Sequence, residues 1–498
     1  MSPISIVFAT AILGAASATC ISNGTLSNSG ADCACSKLAS QYGDSLLYPS
    51  SANYTEERTD YWDIRSDLLP ACIFLPSDAD EVANAVSVFS TCDAQFAIRG
   101  GGHMNFPGSN NIDGGVLVAL ERLNNIQVSE ESLTFEAGPG NRWVDVYEAL
   151  SSYGLYAIGG RLKTIGVPGL SLIGGFHYFI NKYGFVMDNV IQYDVVLGNG
   201  TQIVASNTTN SDLFWALKGG ANNFGIVTKF TFKAYPIPKI STTIQQFNES
   251  MIPDFLTAAT DLVKYDNPDL AAGQVISIQY NATTKVASAS LLGVQEGTES
   301  PPSTFANFTA IPAVARINNV TAPIVWHSAL DSPNQMFRVQ FAHKTMLPDA
   351  DQLLNIYLAW KDAVDAIADV EGLYPTFVLN TIPKSAATVG KTNGIGNVWD
   401  LDDKDSLLIW QFSTGWALAK DDLRMTAWAQ QTVDYLHSLN QEKGLASEFI
   451  YMGDAGEFQD PYLGFPLENV ERMRSIRSEY DPQGVFTRLN WGGFKLGY

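Results

Sequence analysis

No cysteine follows Cys92 in this chain of 498 residues. A thiolate metal site or a disulfide beyond that point is therefore excluded. Histidine is equally scarce, with five in all: His103, His177, His327, His343 and His437. Basic residues are few, 30 Lys and Arg against 51 Asp and Glu, which leaves a net charge of -21. That balance argues against nucleic acid and against an anionic membrane surface as partners, since both attract basic patches. Charged residues make up only 16% of the chain and apolar ones 46%, so the chain is globular rather than disordered. After the N-terminal stretch there is no long uncharged apolar run, and no spanning helix is expected. Several motifs are missing too. The dinucleotide fingerprint G-x-G-x-x-G, the phosphate loop G-x-x-x-x-G-K-[ST], HExxH and G-x-S-x-G do not occur. Metalloprotease and α/β-hydrolase chemistry lose their best support, and no metal site is expected.

What is present begins with a leader. Ile4 to Ala16 is apolar, and Ala16-Ser17-Ala18 offers a small-x-small cleavage site, so residues 1–18 read as a signal peptide. Eight asparagines start N-x-Ser/Thr sequons: Asn23, Asn53, Asn199, Asn207, Asn248, Asn281, Asn307 and Asn319. Both features point to secretion or the secretory-pathway lumen. There Cys20, Cys33, Cys35, Cys72 and Cys92 favour disulfides over metal binding. Cys72 and Cys92 flank one β–α unit and are expected to staple it. The odd number leaves one thiol over, assigned to Cys20.

Three glycine-dense loops, each beside a strand, dominate the first half. The first is Arg99-Gly100-Gly101-Gly102-His103, continued by Asn105 and Gly108. The second runs from Gly159-Gly160-Arg161 through Gly166 and Gly169 to Gly174-Gly175. The third is Gly219-Gly220-Ala221-Asn222-Asn223-Phe224-Gly225. Successive backbone N–H groups turned inward make an anion-binding concavity. Three such loops predict a large phosphate-bearing cofactor held mainly by backbone. Apolar patterning predicts strands over 71–75, 96–98, 116–120, 133–137 and 226–234, a hairpin around Asn199-Gly200, and helices over 81–90, 142–153 and 213–218. Beyond Pro236 and Pro238 the texture changes. Strands are expected over 275–280, 287–292 and 336–341, and helices over 352–370, 423–439 and 468–480.

Ordered blocks carry a family resemblance: Arg99 to His103, Gly166-Val167-Pro168-Gly169-Leu170, Tyr183 to Val190, Asp212 to Gly220, Phe224 to Thr228 and Tyr480 to Phe486. The chain resembles the FAD-linked vanillyl-alcohol oxidase / p-cresol methylhydroxylase superfamily, in its berberine-bridge-enzyme-like branch of the fungal secreted type. The resemblance implies an α+β fold. A two-part FAD-binding domain, of p-cresol methylhydroxylase type, would accompany a substrate domain with an antiparallel sheet flanked by helices. The implied divisions are a lead over 19–63, the FAD domain over 64–236, the substrate domain over 237–445, and a segment returning to the flavin over 446–498.

The resemblance also implies FAD bonded covalently to His103. Arg99, Gly100, Gly101, Gly102, Asn105, Gly108, Gly166, Val167, Gly169, Gly174, Gly175, Asn189, Gly225 and Ile226 are the other implied cofactor residues. Where relatives carry a second, cysteinyl link, this chain has Leu162, so a single link is expected. Ile165 stands where the family tunes oxygen access. The family's C-terminal Asn-Tyr pair corresponds to Gly453-Asp454, so its usual base is missing. His177, Asp454, Tyr178, Tyr451 and Tyr462 are the candidates for the proton work. The implied activity is an oxidase: a small organic substrate gives a hydride to the flavin, and O2 accepts it. Tailoring of a secondary metabolite is the leading reading. An extracellular carbohydrate oxidase and a cyclase or binding scaffold are the alternatives.

Overall fold

The computed structural model describes residues 29–264, 266–330 and 337–497. The leader, Cys20 and Asn23 lie outside the described residues.

A small sheet forms first. Cys72–Phe74 and Phe96–Arg99 both run parallel to Val116–Ala119, with Leu46–Leu47 antiparallel on the outer edge. Helix Ala79–Cys92 is the crossover from Cys72–Phe74 to Phe96–Arg99, which leaves room between them for Val116–Ala119. Asp78 starts that helix by accepting the Glu81 N–H at 2.9 Å, while Glu81 accepts the Ser77 N–H at 2.8 Å. Its face of Val82, Ala85, Val86 and Phe89 is buried against the sheet.

Helix Ser29–Tyr42 lies over this unit and corrects the expected disulfide. Cys72 and Cys92 are not joined to each other. Cys33 bonds Cys92, and Cys35 bonds Cys72. Residues two apart on a helix project about 200° apart, so one helix reaches both the end of its neighbour helix and the strand.

A second sheet of five antiparallel strands follows, in the order Ile126–Ser129, Thr134–Ala137, Ile226–Lys233, Val190–Val196, Gln202–Ser206. Gly200, at φ +80°, makes the Asn199-Gly200 turn of its hairpin.

The middle of the chain builds an eight-stranded sheet. At its centre, Ala272–Asn281, Tyr374–Ile382, Leu407–Trp416 and Arg338–Met346 are antiparallel neighbours. Side chains alternate between its two faces. Phe377, Leu379, Leu408, Trp410 and Phe412 pack with helices Ile252–Lys264, Ala350–Asp365 and Asp422–Glu442. The residues between them, Val378, Asn380, Gln411 and Ser413, line a cleft on the other face. That parity positions one wall of the site.

The end of the chain returns to the first sheet. Asp481 accepts the N–H groups of Val485 and Phe486 at 2.9 and 2.8 Å, and Val485, Phe486 and Leu489 join that sheet's core. Between the eight-stranded sheet and this return, Tyr451, Gly453 and Asp454 line the cleft. Among the described residues no helix is long and apolar enough to cross a membrane. All seven described sequon asparagines are exposed.

Candidate functional site

The cleft holds about 410 Å3. One wall comes from the three glycine loops. Two of them touch directly: a Cβ on Gly101 would sit 2.4 Å from the Gly166 nitrogen, and one on Gly166 would sit 2.5 Å from the Gly101 nitrogen. Only glycine permits that approach. Arg142 then staples the pair, donating from Nη1 to the carbonyls of Gly101 at 2.8 Å and Thr164 at 2.6 Å. Held this way, the N–H groups of Gly101, Gly102 and His103 donate to no protein acceptor among the described residues. They form a ready anion nest.

His103 lines the cleft beside this nest. Its Nε2 is 2.8 Å from Thr164 Oγ1, so Nδ1 is the ring nitrogen without a protein partner among the described residues. Trp62 stacks on the ring at 6.0 Å between centroids. Burial first, and the Arg142 cation second, push the imidazole pKa down to about 3. The ring is therefore neutral at any physiological pH.

The opposite wall carries the remaining polar groups. Asn380 Nδ2 donates to Asp454 Oδ2 at 2.8 Å, and Asn380 Oδ1 accepts from Arg161 Nη1 at 3.0 Å. Burial lifts the Asp454 carboxyl to about 6, against the opposing pull of Arg161 and Asn380. The Asp454 carbonyl accepts from His343 Nδ1 at 2.9 Å, and His343 Nε2 accepts the Tyr451 N–H at 2.9 Å. The buried His343, lowered to about 4 by burial, clamps the Tyr451–Asp454 segment as a neutral ring. Tyr451 also lines the cleft, packed edge-on against Phe176 at 4.7 Å. Burial raises its phenol, which stays protonated.

The structure sorts the other sequence candidates. Gly100, Gly101, Gly102, Gly166, Gly169, Gly225 and Ile226 line the cleft with His103. Leu162 and Ile165 do so too. Arg99 does not: its buried guanidinium pairs with Glu57 and lies over the Tyr61 ring, fixing the strand end. Gly174 and Gly175 do not line it either. They turn toward Trp399 and Val186, where a Cβ would come within 2.0 and 2.7 Å. Asn189 ties the Tyr183 and Phe185 carbonyls at 3.0 and 2.8 Å. Val167 is core, and Gly108 packs against Trp491. Asn105 is buried, outside the cleft wall, with its amide unpaired among the described residues.

Three catalytic candidates also fall away from the cleft. Tyr462 accepts from Asn223 at 2.7 Å and holds the third glycine loop. Tyr178 is buried with its pKa raised to about 12 by burial. His177 belongs to a sealed relay whose proton directions are fixed from both ends. The Phe179 N–H donates to His177 Nδ1 at 3.0 Å, so His177 Nε2 donates to Tyr156 Oη at 2.9 Å. Tyr156 then donates to His327 Nε2 at 2.6 Å, and His327 Nδ1 donates to the Arg161 carbonyl at 3.1 Å. Burial drives the His177 pKa far down and that of His327 to about 3, so both rings are neutral. Tyr147 adds a bond to the Gly160 carbonyl at 2.8 Å. This network holds the second loop from behind, and none of its four side chains lines the cleft.

Arg142, Thr164, Asn380 and Trp62 are not among the residues that the sequence singles out. Arg142 alone gave a signal, as an arginine opening a helix that packs behind two glycine loops.

The donor set fits FAD. A nest of three free N–H groups suits a pyrophosphate. Asn110 Oδ1 and Asn222 Oδ1 are buried acceptors without partners among the described residues, on side chains that line the same cleft. A Cβ on Gly169 would meet nothing within 4 Å, so the wall is open there to a flat ring.

Comparison with known proteins agrees. The model of the FAD binding domain matches residues 70–206. The FAD-dependent monooxygenase prx3 of Penicillium roqueforti is 31% identical over 93% of each chain. The chain belongs to the family of FAD-dependent oxidoreductases that includes this relative. Its fold is shared with the berberine-bridge-enzyme-like protein 1 of Physcomitrella patens (TM-score 0.74, 19% identity, 91% of this chain and 97% of that one). It is shared as well with a glucooligosaccharide oxidase of Acremonium strictum (TM-score 0.73, 20% identity, 94% and 98% covered). That oxidase's FAD is described as 6-S-cysteinyl, 8α-N1-histidyl. The α+β reading and the FAD assignment hold for this oxidoreductase.

Proposed function

We propose that this enzyme is an oxidase that takes a hydride from a small organic molecule and passes the electrons to O2. The observation that carries the reading is one shared cleft. The glycine nest and His103 lie on one side, and the Asp454–Asn380–Arg161 group lies on the other. FAD, when bound, supplies the two-electron acceptor. Gly101, Gly102 and the His103 N–H would hold its pyrophosphate, and His103 Nδ1 would hold it covalently. Leu162 supplies no sulfur for a second link. The apolar walls of Trp62, Phe176 and Phe341 exclude water from the bound substrate. Asp454 takes the substrate proton, since a carboxyl near pH 6 is both ionised at neutral pH and basic enough to accept it. Tyr451, kept protonated, donates a hydrogen bond.

The aspartate in place of the family's Asn-Tyr pair favours a specialised metabolite over a sugar as substrate. An oxygen-electrode assay against aromatic alcohols, phenols and oligosaccharides tests this. One H2O2 released per O2 consumed on a non-sugar substrate is the expected result. Turnover confined to sugars would overturn the substrate class, and an unbleached flavin under anaerobic substrate would overturn the oxidoreduction. The name of the Penicillium roqueforti relative favours a second reading, oxygen insertion. Product labelled from 18O2, without H2O2, would decide for it.

Secretion is supported by the two disulfides and the seven exposed sequon asparagines. Treatment of the native-host protein with peptide N-glycosidase is expected to lower its mass by several glycans. An unchanged mass, with free Cys33, Cys35, Cys72 and Cys92, would contradict it.

A further inference from the structure

Arg161 and Asp454 are the only side chains of formal charge lining the cleft among the described residues. They are not spent on each other. The Asn380 amide stands between them, accepting from Arg161 Nη1 at 3.0 Å and donating to Asp454 Oδ2 at 2.8 Å. The same Nη1 also donates to the Gln274 carbonyl at 3.3 Å. Nε and Nη2 of Arg161 have no protein acceptor among the described residues. Their surroundings are apolar. The guanidinium lies 5.9 Å from the Phe176 ring, and Leu162, Ile165 and Val378 line the cleft nearby in the chain or on the facing strand. An unpaired fork in such a wall discriminates strongly by charge, because water competes poorly there.

The fork is also pre-set. The carbonyl of Arg161 is the last acceptor of the relay through His177, Tyr156 and His327, and the preceding carbonyl, of Gly160, is held by Tyr147. Four buried side chains thus fix the backbone from behind, while Asn380 and Gln274 fix Nη1 from the front. A residue needed only to neutralise Asp454 would pair with it directly. This one is held with its remaining donors open to the cleft.

We propose that Arg161 is the substrate-recognition residue, and that its Nε and Nη2 bind an anionic oxygen carried on an apolar ring skeleton. The proposal rests on the reading of this cleft as the substrate site of the flavoenzyme. It narrows the substrate class to carboxylates and acidic phenols or enols, and it makes neutral alcohols and sugars poor ligands. Arg161 would hold the anionic oxygen while Asp454, spaced from it by one amide, meets a second position of the same molecule.

The test is titration of the purified holoenzyme, read as perturbation of the flavin absorbance, with benzoate, pentafluorophenolate and the neutral benzamide. At least one anion is expected to bind at least tenfold more tightly than benzamide, and the stronger of the two identifies the carboxylate or the phenolate as the source. Arg161→Met, with flavin content and melting temperature as controls on its folding, is expected to remove that preference. Arg161→Lys keeps the charge but loses the fork, and is expected to restore part of it. Equal affinity for benzamide and both anions, binding of neither anion, or a preference that survives Arg161→Met would overturn the proposal. The wild-type comparison stands even if the methionine variant fails to fold. A preparation that carries no flavin at all would instead overturn the functional reading beneath it.

Discussion

Replacing His103 with alanine is expected to leave no flavin on the acid-precipitated protein, where the wild type keeps all of it. Several facts combine in that expectation. The imidazole is neutral because burial and the Arg142 cation hold its pKa near 3. One ring nitrogen is occupied by Thr164 at 2.8 Å, so the other is left for bonding. No cysteine is available for a second link, since Leu162 stands where a cysteinyl link would form and no cysteine follows Cys92. The nest of Gly101 and Gly102 does not depend on the imidazole, because Arg142 holds Gly101 by its carbonyl. The variant should therefore still bind FAD reversibly, and native gel filtration will show a yellow protein whose colour is lost on denaturation. Acid-stable flavin in the variant would place the link elsewhere.

Asp454→Asn is the second substitution with a large expected effect. A positioned general base contributes about 10^2- to 10^4-fold. The kcat/KM is expected to fall by that order once a substrate is in hand. The fold should survive, because the asparagine oxygen can accept the same Asn380 bond that Oδ2 accepts at 2.8 Å. The pH dependence carries the sharper signature. The base must be ionised, and burial raises its pKa to about 6 while Arg161 and Asn380 pull it down. The wild-type kcat/KM should rise with pH through about 6 and level off above it. The neighbours Tyr451 and His343 add no limb there, since burial keeps the phenol protonated and the imidazole, near 4, neutral. In the asparagine variant the limb should vanish. An unchanged kcat/KM, or a limb that persists, would remove Asp454 from the proton step.

The cofactor side was largely legible because its signals are contiguous in the chain. Gly100 to His103 form one run, and the N–H groups of Gly101, Gly102 and His103 are left without a protein acceptor among the described residues, so residue type alone points to the nest. The same reasoning fails where glycine serves packing. Gly174 and Gly175 sit in an equally glycine-rich stretch, yet they clear space for Trp399 and Val186. No local pattern separates the two uses. Arg99 opens the motif but points into buried contacts with Glu57 and Tyr61, which come from the lead segment. His177 looked reactive because it adjoins the loop. Its partners Tyr156 and His327 meet it only in the folded chain, and they turn it into a rigid strut.

The substrate wall was the least legible part. Strand Leu407–Trp416 is not among the expected strands, since Gln411 and Ser413 break its apolar run without a clear alternation. Burial of that strand by helices on one face and by the cleft on the other hides the period of two. Asn380, on Tyr374–Ile382, is hidden in the same way. Asp454 stands out in the sequence only because it departs from a family pattern. Disulfides form as expected, but the Cys72–Cys92 pairing fails for a related reason: helix Ser29–Tyr42 supplies the partner of each, and its docking over the first sheet is a tertiary fact.

The proposed anchor of FAD in this cleft is His103. Peptide mapping by mass spectrometry of the acid-denatured wild-type protein tests it most directly. The peptide spanning the Gly100–His103 run is expected to carry the mass of one FAD, with fragmentation placing it on His103. An unmodified His103 in a protein that purifies yellow would contradict the account.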